Sequence, residues 1–228
     1  MNKRIFSTLI LMLTVAGCSA NAYTSVPEIE IVKKPVIFDL EREQLSLEYL
    51  KQRHDIETDK AVIDPKMIVV HYTVIPTLEG TMQAFNEPTL PDFRVQITGA
   101  SSLNVSSQFV VDQDGTIYQI LPEETTFARH VIGLNYCAFG IENVGGDENT
   151  PLTQAQLDAN VQLIKYLKNK YPEVEYLIGH QESNQFRGHP LFKETDPNYS
   201  TEKSDPGTEF MAQLRAQLEA LKLSGVPE

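Results

Sequence analysis

Short apolar runs recur along this chain, and they are the strongest constraint on its fold. Residues 66–73 read KMIVVHYT, residues 139–144 read FGIENV and residues 176–180 read YLIGH. Runs of this length, rich in β-branched or aromatic residues, are typical of buried strands. Residues 106–121 add two strand-like arms on either side of Asp114-Gly115, a dipeptide that favours a β-hairpin. Together these segments predict a β-sheet.

Three other segments have apolar residues at helical spacing. The first lies between residues 39 and 54 and is expected to pack as a short helix on the edge of the domain. The second opens with Thr153 and Gln156 in the arrangement of a capping box, and the third follows Gly207. Their apolar positions are Leu40, Leu47 and Leu50; Leu157, Val161, Ile164 and Leu167; and Phe210, Leu214, Leu218 and Leu221. Strands interleaved with helices predict an α/β fold, a mixed central β-sheet flanked by helices.

The first residues have the features of a targeting segment. A positive start at Lys3 and Arg4 is followed by an apolar run from residue 5 to residue 16 and then by Val-Ala-Gly-Cys, which ends at Cys18. This ending resembles a bacterial lipoprotein signal peptide of residues 1–17, after which Cys18 would be lipidated. The alternative is an ordinary secretory signal that is cleaved a few residues later.

A lipid on Cys18 would hold the domain on a membrane surface without a spanning helix, for which the apolar run is short. Ser19 follows Cys18, and no Asp stands there. This resembles the sorting pattern of outer-membrane lipoproteins. We therefore expect the protein in the bacterial cell envelope, anchored in the outer membrane and facing the periplasm.

Residues 18–38 are predicted to be a tether, because most of this stretch is polar, contains proline and mixed charge, and shows no sustained period. Cys137 is the second of two cysteines. If Cys18 carries a lipid, no disulfide can form within the domain. Cys137 is expected to be a small packed residue.

The net charge of −12 and the sequence pI near 4.9 argue against nucleic acid as a partner. A protein that binds phosphates needs a basic stripe, and the sequence has none. The sequence also lacks internal repeats and a glycine-rich phosphate loop. An anionic ligand would have to be met by a few local cations.

Three of the five histidines, His71, His130 and His180, lie at or just beyond strand-like segments. A catalytic zinc ion takes three protein ligands and leaves a fourth position open, and His71, His180 and Asp205 could supply that set. The alternatives remain open at this point. A histidine at a strand end is more often a hydrogen-bonded structural residue, and Asp-Pro-Gly is ordinary turn chemistry.

The ordered motifs VVHYT, FGIENVGG, IGHQES and KSDPG resemble those of the type 2 N-acetylmuramoyl-L-alanine amidases. These AmpD-like zinc amidases are related to phage lysozyme-type amidases and to the peptidoglycan recognition proteins. The resemblance runs from about residue 67 to residue 221 and implies a single amidase domain over residues 39–228. It also implies hydrolysis of the amide bond between the lactyl group of N-acetylmuramic acid and L-alanine, in peptidoglycan or its fragments.

The resemblance assigns a role to each motif. His71, His180 and Asp205 match the ligands of one zinc ion. Glu142 matches the acid that activates water, and Lys203 matches the cation that stabilises the developing oxyanion. The residue types suit these roles, because a carboxylate can accept a proton and an ammonium can oppose negative charge.

The sequence departs from the family at the substrate groove. Many members carry Trp-His-Ala-Gly where residues 128–133 read ARHVIG, and this chain has no Trp. His130, Arg129 and Tyr72 are the predicted substrate-binding residues. Without the tryptophan ring, the resemblance does not extend to sugar stacking.

The segment from residue 182 to residue 202 is longer than the corresponding loop of compact members, and it is expected to shape the groove wall. His189 within it is expected to be a loop residue. Arg94, Arg129 and Arg187 could contact peptide carboxylates, although solvated surface charge is the more ordinary fate of an arginine.

Two other functions compete with a zinc amidase. One is a recognition module that keeps the groove and binds the cell wall without catalysis. The other is a zinc-independent hydrolase that uses Cys137 and His180. Retention of all three predicted ligands together with Glu142 and Lys203 disfavours the recognition module. No local motif around Cys137 or His180 supports the hydrolase.

Overall fold

A six-stranded mixed sheet organises residues 29–91 and 99–227, the parts of the chain that the computed structural model describes. Its strands are β1 (Val32–Lys33), β2 (Met67–Tyr72), β3 (Phe109–Val111), β4 (Ile117–Gln119), β5 (Ala138–Asn143) and β6 (Tyr176–Gly179). The order across the sheet is β1-β4-β3-β5-β2-β6. Strands β3, β5, β2 and β6 are parallel, whereas β4 is antiparallel to β3. The predicted mixed sheet is confirmed.

The predicted strands form where the apolar runs lie. Residues 67–70 of β2 are fully buried, since both faces of the strand are covered. The hairpin around Asp114-Gly115 joins β3 to β4, and the amide of Gly115 donates to the carbonyl of Asp112. Gly115 has a φ of +87°, a conformation that a glycine adopts without steric cost.

Within the described residues, four α-helices and two short 3₁₀ helices accompany the sheet. They are α1 (Leu40–His54), α2 (Leu78–Asn86), α3 (Gln154–Lys170) and α4 (Thr208–Leu218), with 3₁₀ turns at His180–Phe186 and Glu219–Leu221. The capping box of α3 is confirmed. Thr153 Oγ1 accepts from the Gln156 amide at 3.1 Å, and Gln156 Oε1 accepts from the Thr153 amide at 3.0 Å. Helix α3 packs on α4, and α4 packs on β6.

Helix α1 forms as predicted, and two residues of the predicted leucine stripe face the core: Leu50 is buried and Leu47 packs against it. Leu40 is 75% exposed, whereas Arg42 is buried. The Arg42 guanidinium donates to the carbonyls of Phe85 and Asn86 at the end of α2. These carbonyls have no partner within their own helix, so a buried arginine satisfies them. Burial lowers the pKa of Arg42 to about 10.

The predicted tether of residues 18–38 lies partly outside the described residues. Within the described part, Val32–Lys33 pair with β4, and the amide of Val36 donates to the carbonyl of Ile120. Val36 is also buried. A two-residue strand is too short to show a period, so the sequence pattern did not reveal that this stretch joins the sheet edge.

The predicted signal peptide of residues 1–17 and the predicted lipidation site Cys18 lie outside the described residues. Within residues 29–91 and 99–227, no helix is both long enough and apolar enough to cross a membrane. Cys137 is a fully buried free thiol, as expected of a packed residue, and burial raises its pKa to about 12.

Candidate metal centre

The carboxyl ends of three adjacent parallel strands bring the chemically important side chains together. Strand β2 lies between β5 and β6, and the register pairs His71 with Glu142. The same register pairs Val70 with Gly179, so that His180, the residue after β6, continues the row beside His71. Residues in register on neighbouring strands face the same side of a sheet. The strand order therefore places two predicted ligands and the predicted general base at the carboxyl end of the sheet.

Three ligand atoms converge at this edge. His71 Nδ1 lies 3.0 Å from His180 Nδ1, and Asp205 Oδ2 lies 3.0 Å from His180 Nδ1 and 3.2 Å from His71 Nδ1. All three residues are buried. Among the described residues, this is the one group of three such side chains whose ligand atoms lie within 4.8 Å of one another. Tetrahedral zinc sites space their nitrogen and oxygen ligands by about 3.3 Å, so the set fits one zinc ion.

Charge in this cluster suits a divalent cation. Burial, reinforced by the neighbouring His71, lowers the pKa of His180 to about 4, so its ring is neutral at pH 7. Burial alone would raise the pKa of Asp205, but hydrogen bonds from His180 and His71 hold it well below its usual value. The cluster thus offers an ionised carboxylate beside a neutral imidazole, the forms in which these groups bind metals.

The Asp205-Pro206-Gly207 segment both turns the chain and presents the carboxylate. Its peptide bond between Asp205 and Pro206 is cis, and α4 begins directly after Gly207. The amide of Gln181 donates to the Asp205 carbonyl at 2.9 Å, which ties the segment to the residue after His180. The turn and the candidate ligand are therefore one feature.

An ion pair from α4 holds the start of the His180 turn. Arg215 donates to both carboxylate oxygens of Glu182, at 2.9 and 2.6 Å, and to the carbonyl of Leu177. Glu182 Oε2 in turn accepts from the amide of Gly179 at 2.7 Å. Two parallel bonds between a guanidinium and a carboxylate fix both groups in orientation. Sequence reasoning missed this support, because no motif marks it.

His130 lies against the other side of the His71 ring. Its Nδ1 is 3.0 Å from His71 Nε2, and its Nε2 is 3.3 Å from the carbonyl oxygen of Ala138. Only 9% of its surface is exposed, and burial lowers its pKa well below the usual value. It also lines a small cavity with His180 and Lys203. The structure thus joins it to a candidate ligand, which the sequence did not indicate.

Glu142 and Lys203, the predicted catalytic pair, flank the cluster. Glu142 is half-buried on β5, in register with His71. Lys203 is exposed, two residues before Asp205, and its charge contributes to the low pKa of His180. Glu142 thus lies on the strand next to His71, and Lys203 lines the same cavity as His180.

The predicted substrate-binding residues differ in their surroundings. Arg129 lines the cavity but is 4% exposed, and its guanidinium donates to the carbonyls of Ser101 and Leu103 and to the hydroxyl of Tyr199. The Tyr72 hydroxyl is 2.9 Å from Ser204 Oγ, beside the Asp205 segment. Direct contact of either residue with a substrate stays a prediction.

The long segment of residues 182–202 is fastened to α1. Arg53 pairs with Glu194 at 2.7 Å, and Thr195 Oγ1 donates to the carbonyl of Gln52 at 2.6 Å. Its residues Tyr199 and Thr201 line the cavity, which agrees with the expectation that this segment shapes the groove wall.

The other singled-out residues take little part in the centre. His189 accepts from the amide of Leu191 and lies outside the metal-ligating group. Arg187 is exposed and donates to the carbonyl of Tyr199 within its own segment. Arg94 lies outside the described residues.

The structure contradicts the hydrolase built on Cys137 and His180. Cys137 directly precedes β5 at the amino end of the sheet, because Ala138 pairs with Met67, whereas His71 and His180 lie at the carboxyl end. Four residues of strand separate the two ends by about 13 Å. The buried thiol, with its raised pKa, is also not a nucleophile.

Comparisons with known proteins agree with this arrangement. The sequence profile of a family described as N-acetylmuramoyl-L-alanine amidase matches residues 60–208, more than half of the chain. No curated protein shows significant similarity to the chain.

Two solved structures from Clostridium intestinale URNW are similar in fold. The N-acetylmuramoyl-L-alanine amidase LysC is 23% identical with a TM-score of 0.54, and the match covers 84% of this chain and 99% of LysC. The endolysin amidase LysCS is 22% identical with a TM-score of 0.52, and the match covers 85% of this chain and 98% of LysCS. At these identities the likeness establishes the fold.

Proposed function

Since the chain belongs to the N-acetylmuramoyl-L-alanine amidase family, we propose that it is a zinc-dependent peptidoglycan amidase. It cleaves the amide bond between the lactyl group of N-acetylmuramic acid and L-alanine, in peptidoglycan or its fragments. The main support for this proposal is the convergence of His71 Nδ1, His180 Nδ1 and Asp205 Oδ2 beside the carboxyl ends of β2 and β6. This nitrogen and oxygen set is the one that catalytic zinc prefers.

Each residue of the candidate metal centre has its own role in hydrolysis. When bound, zinc supplies Lewis-acid chemistry, which polarises a carbonyl group and acidifies water. Glu142 accepts the proton of the attacking water and later gives it to the leaving amine, as a positioned carboxylate can. The Lys203 ammonium opposes the negative charge that develops on the carbonyl oxygen. His71, His180 and Asp205 hold the ion.

The surroundings favour these protonation states. Asp205 stays ionised and His180 stays neutral at pH 7, so neither needs to lose a proton before it binds the ion. The three candidate ligands are also buried, so most water is excluded from them. The lower local dielectric constant strengthens their attraction for a cation.

We also propose that the protein works from a membrane surface. The support is in the sequence, where Lys3, Arg4 and the apolar run precede Cys18 and Ser19. A lipid anchor on Cys18 in the outer membrane, facing the periplasm, would bring the domain to its substrate. Palmitate labelling of the wild-type protein and of Cys18→Ala tests this, since lipidation at Cys18 predicts that only the wild type is labelled.

Mass spectrometry of the products tests the enzymatic function. The purified protein is mixed with muropeptides, with and without a zinc chelator. The amidase predicts release of a stem peptide that begins with L-alanine, lost with the chelator and restored by zinc. Binding of muropeptides and zinc without cleavage would contradict the amidase and favour the recognition module. His189→Ala is a matched control, because this histidine lies outside the ligand group.

A further inference from the structure

Val74, two residues beyond the end of β2, has an unusual backbone conformation. Its φ is +60°, in the left-handed region that β-branched residues rarely adopt. Among the described residues, Asp55 and Lys222 are the other non-glycine residues with a positive φ, and each caps the end of a helix, where this conformation is ordinary. Val74 caps no helix, so its conformation needs another explanation.

Hydrogen bonds with a neighbouring segment hold Val74 in this conformation. The amide of Val74 donates to the Gly145 carbonyl at 2.8 Å, and the amide of Gly145 donates back to the Ile75 carbonyl at 2.8 Å. Thr73 Oγ1 also accepts from the amides of Ile75 and Gly145, at 3.0 and 3.2 Å. These bonds tie the segment after β2 to the segment after β5. A strained conformation persists only where its surroundings determine it in this way.

The side chain of Val74 is exposed although it is apolar. It is 52% exposed, and among the described residues it is one of four large apolar side chains that are exposed. Of these four, it is the one on a segment that continues a strand with a candidate metal ligand. Val74 is three positions after His71, so their Cα atoms lie no more than about 11 Å apart. An extended stem peptide of four residues spans about 13 Å, so a substrate at the metal centre can reach Val74.

We propose that Val74 is a substrate-contact residue, whose strained backbone holds an apolar side chain beside the metal centre to meet a methyl group next to the scissile amide. The substrate offers two such groups, one on the lactyl side and one on the alanine side. Contact with either removes apolar surface from water and so favours binding. Strain of this kind costs stability and clusters at binding and catalytic sites. This inference rests on the proposed amidase function.

Two substitutions at Val74 separate the contact from the strain. Val74→Thr keeps the β-branched shape and the strain but replaces one methyl group by a hydroxyl, so we expect weaker muropeptide binding and no rise in Tm. Val74→Asn removes both methyl groups and tolerates a positive φ, so we expect weaker binding together with a Tm higher by about 2 to 6 °C. Loss of one methyl contact should raise Kd by about 4-fold. Calorimetry in the Glu142→Gln background, which slows cleavage, measures Kd.

Lys222→Asn is the matched control, because Lys222 is exposed and also has a positive φ, of +53°. It lies near the amino end of β6, since Ser224 pairs with Tyr176, whereas the candidate ligands lie at the carboxyl end. Asparagine is favoured at a residue that follows a helical turn in this conformation. We therefore expect Lys222→Asn to raise Tm by about 2 °C and to leave Kd for muropeptides unchanged.

Two modified substrates show which methyl group Val74 contacts. One has glycine in place of L-alanine, and the other has a glycolyl group in place of the lactyl group. The protein with Val74 should bind one of them about 4-fold more weakly than the intact muropeptide. Val74→Asn should bind that one and the intact muropeptide equally, because the partner of the methyl group is gone.

The outcomes separate this inference from the proposed function. An unchanged Kd in Val74→Thr and Val74→Asn would overturn the substrate contact and leave the amidase standing. Weaker zinc binding by either variant would also overturn it, since the effect would then act through the metal centre. An unchanged Tm in Val74→Asn would overturn the strain. A wild-type protein that binds muropeptides without cleaving them would overturn the amidase, while the Kd values still test the contact.

Discussion

Two buried histidines, His54 and His180, share a property but differ in what surrounds them. Burial lowers the pKa of each to about 4. His54, at the end of α1, has the Lys193 carbonyl as its partner and packs among the rings of Tyr49, Phe127 and Tyr136. His180 instead faces a second histidine and a carboxylate.

The difference shows that a perturbed pKa does not by itself mark a functional site. His54 fastens the segment of residues 182–202 to α1 through one carbonyl, a structural role. The cluster at His180 has converging ligand atoms, which a structural histidine does not need. Convergence of donors, rather than burial, distinguishes the candidate metal centre.

The largest effect should come from Asp205→Ala, which removes one of the three converging ligands. We expect loss of zinc and a fall in kcat/KM of roughly 10³-fold, which corresponds to about 4 kcal/mol of transition-state stabilisation. Release of stem peptide from muropeptides and metal content by mass spectrometry check it. Full activity with bound zinc in this variant would show that converging ligand atoms do not distinguish the surroundings of His180 from those of His54.

Glu142→Gln should have the next largest effect, because an amide cannot accept the proton of water. We expect kcat to fall by about 10²- to 10³-fold with zinc still bound, because Glu142 accepts the proton of the attacking water and does not bind the metal. Rates and metal content of the same preparation measure this. Loss of zinc from Glu142→Gln would instead make Glu142 part of the ligand shell.

His54 should appear in the pH dependence of stability instead of in catalysis. Its folded pKa of about 4 lies below the ordinary value of 6.5, so the unfolded state binds more protons between these values. Its contribution to the free energy of unfolding therefore falls as the pH falls, by about 2 kcal/mol from pH 7 to pH 5.

Urea unfolding of wild type and His54→Gln at pH 7 and pH 5 measures this difference. The variant should lose less stability on acidification than the wild type, with unchanged zinc affinity at pH 7. Equal losses in both proteins would show that His54 does not titrate as its burial predicts.

The smallest effect should come from Gly140→Ala, which acts on the metal centre through His130. An added Cβ would meet the His130 ring at 2.9 Å, so the ring must shift. We expect zinc affinity to fall by about 10-fold, since a displaced ring loses its contact with Nε2 of the candidate ligand His71. Chelator competition measures it, with His54→Gln as a control that leaves the centre untouched. Unchanged affinity would mean that the ring can move without consequence.

The sequence predicted the local elements well and the contacts of single residues less well. The strands ending at Tyr72, Asn143 and Gly179 and the capping box at Thr153 lie where their patterns placed them, because a run of neighbouring residues determines each. The tether and the position of Leu40 in α1 were predicted less accurately. There, packing against β4 and the end of α2 decided the outcome.

In the candidate site too, the residue types were predicted from the sequence, whereas the contacts between distant residues were not. Motif order and family resemblance pointed to His71, His180 and Asp205, and the structure brings these three together. No sequence motif indicated that His130 would contact His71, because 59 positions separate them along the chain.

The sequence by itself determined the secondary-structure elements and the chemical types of the ligands. Hydrophobic periodicity, helix capping and short motifs each depend on residues that are close together in the sequence. The tertiary structure alone decided which side chains meet. Strand order and register bring His71 to His180 across 109 positions, and a glycine on β5 lets the ring of His130 reach His71. Contacts over such separations depend on how the whole sheet is assembled, which local sequence does not encode.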